Sequence, residues 1–413
     1  MKSLFKWYSG LNIYYKLFPF LLLYVTICIV FPKDVSIGDQ VRYLGFADNL
    51  LNGFYSPPYP NIDLWNGPGY PAFLVPFIFI KVPFVGLRLL NAFLLYFSLI
   101  ISYKTFSIYS SKNSAILFTM LLGLYFPIFE VLRQILTESL AWFLISLVCF
   151  LVVKNYQQKN ISWKLVLLAA FSIAYLAMTK VIFGYVILLM LFISIFMFLL
   201  PIFRSSAKKS ALIFLVSLFF CLPWLIYTYN LTDKIFYWSN SGSMSLYTMS
   251  TPYVGESGQW YDQELLLKNP NHTVFIDSIL RLTPLQQDDA YKKAAITNIR
   301  NHPAKYLTNF ISNIGRLLFF PSDYAPDTIF SYYPFVPNMF IVVFIVITMA
   351  VSLVHYKRIP PELILLFMFI FIYLFGSTVV SAYRRMFHIT MPFWFFFFSY
   401  VFNNLISIKI KQN

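Results

Sequence analysis

Six charged side chains stand beside the ends of long apolar runs, where ionisable groups are expensive to place. They are Asp39, Arg133, Glu138, Lys180, Arg384 and Arg385. Ionisable groups at membrane depth are functional candidates by default. Carboxylates can accept a proton, and cations can hold an anionic substrate. If the chain brings these segments to one face, the residue types predict a site that binds an anion and removes a proton.

Each of these residues also has a structural interpretation. Arg133 and Glu138 could form an ion pair across a turn, and Lys180 could close a tight hairpin. Asp39 could serve as an ordinary helix N-cap. Arg384 and Arg385 could reach to lipid phosphates. The sequence alone leaves both interpretations open.

The composition identifies the elements that must position these side chains. Of 413 residues, 59% are hydrophobic and 11% are charged. Soluble proteins carry about 25% charged residues, so this chain is predicted to be an all-α integral membrane protein. The three cysteines are separated and lie within apolar runs, which gives neither a disulfide framework nor a metal-ligand spacing.

Ten apolar runs are long enough, or nearly long enough, to cross a bilayer. They are 13–32, 84–106, 114–133, 136–153, 162–179, 182–203, 210–230, 336–356, 361–380 and 386–408. The run 69–83 is short and interrupted by Pro71, Pro76 and Lys81. It is predicted to lie at the membrane interface.

The charge distribution predicts the orientation. With the N-terminus inside, the cytoplasmic ends hold fifteen of the 31 lysines and arginines but only one of the 16 acidic residues, Glu362. The net charge of +15 is therefore attributed to the positive-inside rule and not to nucleic-acid binding. Both termini are predicted to be cytoplasmic, and the candidate site faces the opposite side.

Two longer segments lie on that outer side. The first, 33–83, belongs to an N-terminal membrane module, 1–230. The second, 231–335, is large enough to cover a membrane site, and its helical part should break at Pro303. Residues 336–413 form the C-terminal membrane helices.

Cofactor signals are weak. The sequence has no phosphate-binding glycine motif of the GxxxxGK[ST] or GxGxxG type. His272, with Glu256, Asp262 and Glu264 nearby, could contribute to a divalent-metal site, although a solvated loop is the preferred interpretation. No cofactor is assigned, and a divalent metal ion stays open.

Several short motifs, in their order along the chain, resemble a known class. They are Gly38-Asp39-x-x-x-Tyr43-x-x-x-Ala47, Gly67-Pro68-Gly69-Tyr70-Pro71, Arg88-Leu89-Leu90-Asn91, Tyr125-x-Pro127, Thr137-Glu138-Ser139-Leu140, Met178-Thr179-Lys180, Pro223-Trp224, His302-Pro303-x-x-Tyr306 and Tyr383-Arg384-Arg385 with Pro392. The pattern resembles the GT-C class of membrane glycosyltransferases. Within it, the bacterial polyprenyl-phosphate-sugar-dependent branch is most similar, related to protein O-mannosyltransferases and lipid A aminoarabinose transferase.

The resemblance implies an inverting transfer of a sugar from a polyprenyl-phosphate donor to an acceptor hydroxyl, at the bacterial inner membrane. It implies that Asp39 is the general base, that Glu138 lies near the active site, and that Lys180 with Arg384 or Arg385 holds the lipid phosphate. Segments 40–52 and 69–82 would be juxtamembrane helices.

Three further positions extend this mechanism. Arg133 could join the phosphate-binding group, and Tyr43 and Tyr70 could stack on the sugar, although an interfacial aromatic belt is the preferred interpretation of each tyrosine. Gln40 stands where the family often has a second acid, and Gly67-Pro68-Gly69 replaces a Lys-Pro-Pro. These departures put metal dependence and acceptor identity in question.

Three other functions are compatible with the sequence. An O-antigen-type polysaccharide polymerase would share the membrane topology, but not the acidic first loop. A lipid or sugar transporter would place polar groups near the midplane in paired halves, and no repeat is visible. A non-catalytic member of the same class is the third. The sugar and the acceptor, whether glycan, lipid or protein, are left open.

Overall fold

The computed structural model describes residues 10–36, 38–201, 204–319 and 333–406, and across these ranges it is helical, with no β-strand. In chain order the helices are α1 (Ile13–Val30), α2 (Asp39–Leu51), α3 (Gly69–Phe79), α4 (Phe84–Phe106), α5 (Lys112–Gly123), α6 (Phe129–Leu132), α7 (Glu138–Gln157), α8 (Trp163–Thr179), α9 (Ile182–Phe198), α10 (Arg204–Thr232), α11 (Gly242–Met249), α12 (Gln263–Lys268), α13 (Pro270–Ile279), α14 (Pro284–Asn301), α15 (Pro303–Phe319), α16 (Phe335–Val354), α17 (Pro361–Val379), α18 (Arg384–His388) and α19 (Met391–Asn404).

Within the described ranges, six helices are long and apolar enough to cross a membrane: α1, α4, α7, α10, α16 and α17. A seventh candidate is the pair formed by α5 and the segment Phe126–Leu132, which bends by 41°. The apolar helices α3, α8 and α9 are shorter. The predicted all-α, multi-pass membrane fold is confirmed, while the number of ten spans stays a prediction.

Helix α19 is shorter than the apolar run that contains it. The predicted run 386–408 contains a helix from Met391 to Asn404, preceded by the short α18. At 1.5 Å per residue, these 14 residues extend about 21 Å, against about 30 Å for a hydrocarbon core. Every residue from Met391 to Val401 is buried. A helix that is apolar all round is buried among other helices, and α19 packs against α4, α5, α7 and α16.

The second outer segment forms a helical cap, defined here as α11–α15. It has a small core of its own, built from Met244, Tyr247, Leu266, Ile276 and Tyr291 with their neighbours. The predicted break at Pro303 is confirmed, because α14 ends at Asn301 and α15 begins at Pro303.

The cap is attached to the membrane helices by side-chain hydrogen bonds. The Asn313 amide on α15 donates to the carbonyls of Thr378 and Val380, at 2.9 and 2.8 Å. These carbonyls close α17, where the last four C=O groups of a helix lack intrahelical partners. The cap therefore rests directly on the end of a candidate span.

A buried polar cluster holds the cap together and corrects one expectation. The interpretation of His272 as part of a solvated loop is wrong, because the side chain is buried. Its Nε2 lies 2.9 Å from Glu256 Oε2, and its Nδ1 lies 2.8 Å from the Tyr247 hydroxyl. Burial opposes ionisation of Glu256, but hydrogen bonds from neighbours such as Asn271 outweigh it and lower the pKa of Glu256. This cluster is occupied by structural contacts.

The first outer loop meets the end of α8 through two glycines. A Cβ on Gly67 would lie 2.1 Å from the Met178 carbonyl oxygen, and one on Gly69 would lie 2.6 Å from Thr179 Oγ1. The Tyr175 hydroxyl donates to the Gly69 carbonyl at 2.8 Å. Only the absence of a side chain permits this approach, which fixes the residues just before Lys180.

We expect Gly69→Ala to disturb this contact. The added methyl group has Thr179 backbone and side-chain atoms within 3 Å, so the first outer loop or the end of α8 must shift. The expected loss is about 1–3 kcal/mol, seen as a lower melting temperature of the detergent-purified protein.

Gly45→Ala is the matched control in the same loop. It lies within α2, and its added methyl group would meet nothing within 4 Å. Since alanine is the better helix former, this variant should melt at the same or a higher temperature. Equal behaviour of the two variants would contradict the close packing described for Gly69.

Candidate active site

Asp39 is presented by the start of α2. The preceding residue, Gly38, has a φ of 75°, a conformation that glycine adopts without steric cost. Asp39 is thus the first residue of the helix and not its N-cap, and its carboxylate lies where the helix dipole favours negative charge. Its side chain remains 32% exposed and is therefore accessible from outside the protein.

Arg385 joins Asp39 to Glu138. Its Nη2 donates to Asp39 Oδ2 at 3.1 Å, and its Nη1 lies 3.6 Å from Glu138 Oε1. Lys180 Nζ donates to the same Glu138 oxygen at 2.8 Å. Asp39, Arg385, Glu138 and Lys180 therefore form a continuous array, called here the charge chain. The expectation that residues from distant segments meet is confirmed for these four.

Burial differs sharply along the charge chain. The Glu138 side chain is 1% exposed, whereas Lys180 and Arg385 are 21% and 30% exposed. A buried carboxylate is costly unless it is paired and hydrogen-bonded. Glu138 thus holds both cations by ionic contacts, and each cation keeps part of its surface exposed.

The alternative pairing of Arg133 with Glu138 is wrong. Arg133 Nε instead donates to the Phe31 carbonyl at 2.7 Å, at the end of α1. Its own carbonyl accepts from the backbone N–H of Lys33 at 3.0 Å. Arg133 therefore tethers the first outer loop and is placed outside the charge chain.

Lys180 satisfies its structural interpretation and joins the charge chain at the same time. Its backbone N–H donates to the Leu176 carbonyl at 2.8 Å and closes α8. Its carbonyl accepts from Phe183 N at 2.9 Å, at the start of α9. The tight turn between α8 and α9 leaves the side chain free to reach Glu138.

A second ionic cluster surrounds Glu130, which the sequence analysis did not single out. Lys33 Nζ lies 3.3 Å from Glu130 Oε1, and the Tyr333 hydroxyl donates to Oε2 at 3.1 Å. Arg384 pairs with the same oxygen through Nη2. Burial lowers the pKa of Lys33, and the carboxylate of Glu130 acts against that shift. The two adjacent arginines of α18 thus serve different carboxylates.

Gln40, at the position where the family often has a second acid, has a structural role. Its side chain is buried, its Oε1 accepts from Ile135 N at 2.9 Å, and its Nε2 donates to the Asp34 carbonyl at 3.0 Å. Gln40 therefore fastens α2 to the turn before Glu138. An amide can both accept and donate in this way, which a carboxylate cannot.

Tyr43 and Tyr70 pack together beneath the charge chain. Their rings meet edge to face with centroids 5.3 Å apart, and both residues are buried. The Tyr43 hydroxyl also accepts from Asn66 Nδ2 at 3.4 Å. Their observed contacts hold α2 against α3. Any contact with a sugar would require the site to open.

Possible metal ligands are the acidic, histidine and cysteine side chains. Among the described residues, no three His, Cys, Asp or Glu side chains group as a metal site.

The sequence contains signals for two ionic residues that the sequence analysis did not select, Glu130 and Lys33. Glu130 is a single acid near the end of the third predicted span, 114–133, just as Glu138 is a single acid near the start of the fourth. Lys33 follows the first predicted span directly. The pairing of Glu130 with Arg384 joins residues 254 positions apart and could not be predicted from spacing.

Residues 60–235 match the family model described as dolichyl-phosphate-mannose-protein mannosyltransferase. This match confirms the resemblance to GT-C glycosyltransferases over that region. It contains Glu138 and Lys180, while Asp39 and Arg385 lie outside it.

A solved structure is also similar. It is the crystal structure of ArnT from Cupriavidus metallidurans bound to undecaprenyl phosphate, with 13% identity and a TM-score of 0.44. The similarity covers 92% of this chain and 78% of ArnT. No curated protein matches the sequence.

The pairing of Glu138 generates a stability prediction. We expect Lys180→Met to cost about 3 kcal/mol, because the buried carboxylate would keep a single cation 3.6 Å away. The double variant Lys180→Met, Glu138→Gln should recover part of this loss, since it removes the unpaired charge. Thermal unfolding in detergent measures all three proteins.

The control is an ion pair on the surface of the cap. Lys268 pairs with Glu264 at 2.7 Å, but the two side chains are 68% and 77% exposed. Lys268→Met should therefore cost less than about 1 kcal/mol. If Lys180→Met and Lys268→Met had the same effect, Glu138 would not depend on Lys180 as described.

Proposed function

We propose that the protein is an inverting glycosyltransferase that moves a sugar from a polyprenyl-phosphate donor to an acceptor hydroxyl. The observation that carries this proposal is the charge chain, in which two carboxylates alternate with two partly exposed cations. The matched family model supports it, because that family is named for transfer from a lipid-phosphate-linked mannose.

Lys180 and Arg385 are the proposed phosphate-binding residues. Each cation is fixed by Glu138 on its buried side and is partly exposed elsewhere. Charge-assisted hydrogen bonds to phosphate oxygens are stronger than neutral ones, and they stabilise the negative charge that develops on a leaving phosphate. Glu138 acts here by positioning the two cations.

Asp39 is the proposed general base. It is the more exposed carboxylate of the charge chain, and Arg385 holds it beside the proposed phosphate site. The acceptor oxygen attacks the anomeric carbon as the bond from that carbon to the phosphate oxygen breaks. The hydroxyl proton passes to Asp39, the electron pair leaves with the phosphate, and attack from the opposite face inverts the carbon.

The charge distribution supports a membrane orientation. The excess of lysine and arginine lies at the ends of the apolar helices that are opposite the two outer segments. We propose a bacterial inner-membrane protein with cytoplasmic termini and an extracytoplasmic site. In this arrangement residues 1–230 supply most of the charge chain, 231–335 cover it, and 336–413 contribute Arg385.

Replacing the proposed base tests the mechanism. We expect Asp39→Asn to reduce sugar transfer by about 10²–10⁴-fold, the usual contribution of general base catalysis. Transfer of radiolabelled sugar from membranes containing polyprenyl-phosphate sugar measures the effect at matched protein levels. The labelled product would also identify the acceptor.

Asp48→Asn is the matched control on the same helix. Asp48 is exposed on α2 and stands outside the charge chain, so its replacement should leave transfer unchanged. Full turnover in a folded Asp39→Asn protein would remove Asp39 from the role of base. Transfer from a diphosphate-linked oligosaccharide, but not from a monophosphate donor, would favour a polymerase.

A further inference from the structure

A small cavity lies between the first outer loop and the helical cap. Its volume is about 330 Å³, at the lower end of the range for small-ligand pockets. Its lining includes Arg42, Trp65, Asn240, Gln287, Asp288 and Tyr291. The backbone N–H of Asn240 donates to the Leu64 carbonyl at 3.1 Å, so the two walls are joined at this point.

One lining side chain carries a buried polar atom without a hydrogen-bond partner among the described residues. The atom is Asn240 Oδ1, and the residue is 8% exposed. Asp288 and Tyr291 are also buried, but Ser243 and Gln263 are their respective side-chain partners. Buried polar groups are normally paired, and leaving one unpaired costs free energy. An unpaired amide oxygen on a wall that also holds Asp63 and Gln287 favours a ligand with hydroxyl donors.

The charges of the pocket disfavour an anionic ligand. Asp288 is a buried acid whose Oδ2 already accepts from the Tyr237 hydroxyl at 2.8 Å and lies 3.8 Å from Lys234 Nζ. Asp63 also lines the cavity. Arg42 is the cation of the lining, and the two acids outnumber it. A neutral ligand that both donates and accepts hydrogen bonds suits this wall.

The Arg42 side chain separates the cavity from Asp39, the proposed base. Arg42 Nη1 lies 3.6 Å from Asp39 Oδ1, and its guanidinium covers the Trp65 ring with the carbon 5.0 Å from the ring centroid. Arg42 therefore contacts the charge chain on one side and lines the cavity on the other. A ligand held there would be next to Asp39.

We propose that this cavity is a binding subsite for a neutral saccharide ring, which belongs to one of the two substrates of the transfer reaction. The assignment to a substrate rests on the proposed glycosyltransferase function. The saccharide hydroxyls would pair with Asn240 Oδ1 and with the Asp63 and Gln287 side chains, and the indole of Trp65 would offer an apolar edge to the ring.

Direct binding tests the subsite without any catalysis. Saturation-transfer NMR on the detergent-purified protein would use methyl glucoside, methyl galactoside and methyl mannoside, with methyl glucuronide as the anionic comparison. We expect wild type and Asp39→Asn to bind at least one neutral glycoside. Gln287→Trp should weaken binding at least tenfold, because the larger side chain fills the cavity.

Lys293→Trp is the matched control, since Lys293 is exposed on the same helix α14. It should bind as wild type does. Asn240→Ala is a smaller change that should also weaken binding, and a melting temperature near that of wild type shows that each variant is folded. No glycoside binding by wild type, binding of the glucuronide alone, or unchanged binding by folded Gln287→Trp would overturn the proposal.

Kinetics then distinguish the two sources of the saccharide. A subsite for the acceptor predicts that Gln287→Trp raises the KM for acceptor with little change for the lipid donor. A subsite for the donor sugar predicts the reverse, and an unchanged KM for both substrates would contradict the proposal. If wild type binds the glycoside but transfers no sugar from a lipid-phosphate donor, the proposed function fails while the subsite stands.

Discussion

The structure depends on keeping one buried carboxylate paired. Glu138 begins α7 with a side chain that is 1% exposed, so its charge must be matched by Lys180 and Arg385. Those partners come from the turn after α8 and from α18, which lie far apart in the chain. Satisfying Glu138 therefore requires the N-terminal and C-terminal helices to assemble around the same point. The same requirement leaves two cations side by side at the outer end of the bundle.

Smaller contacts make that assembly possible. Gly67 and Gly69 let the first outer loop approach the end of α8, directly before Lys180. Gln40 ties α2 to the turn before Glu138 through two hydrogen bonds to backbone groups. These residues carry no charge, yet they determine how far Asp39 and Lys180 lie from Glu138. Departures from the family pattern at these positions are thus accounted for by packing.

The sequence predicted the kind of fold and much of the charge chain, because both depend on signals that stand out in an apolar chain. Proline positions and acid placement located α2, α3 and the break before α15. Span lengths were less predictable, since an apolar run reads alike whether it faces lipid or other helices. In α19 the buried stretch Met391–Val401 is as hydrophobic as a membrane span.

Side-chain partners were the least predictable feature. Neither Glu130 nor its pairing with Lys33 and Arg384 follows from local spacing, and the pairing of Arg133 with Glu138 was wrong. Contacts of this kind depend on how whole helices are rotated and packed, which periodicity does not specify. The same holds for the cavity beneath the cap, which only the folded chain reveals.

The two adjacent arginines of α18 have different roles because they project in different directions. Successive residues of an α-helix project about 100° apart, since a turn has about 3.6 residues. Arg384 turns toward Glu130 with its side chain 6% exposed, whereas Arg385 turns toward Asp39 and Glu138 and is 30% exposed. One short helix thereby supplies a buried structural cation and an accessible one. Both arginines belong to the same five-residue helix, so a movement of α18 would change both ionic clusters together. The Glu130 cluster therefore helps to set the position of the charge chain.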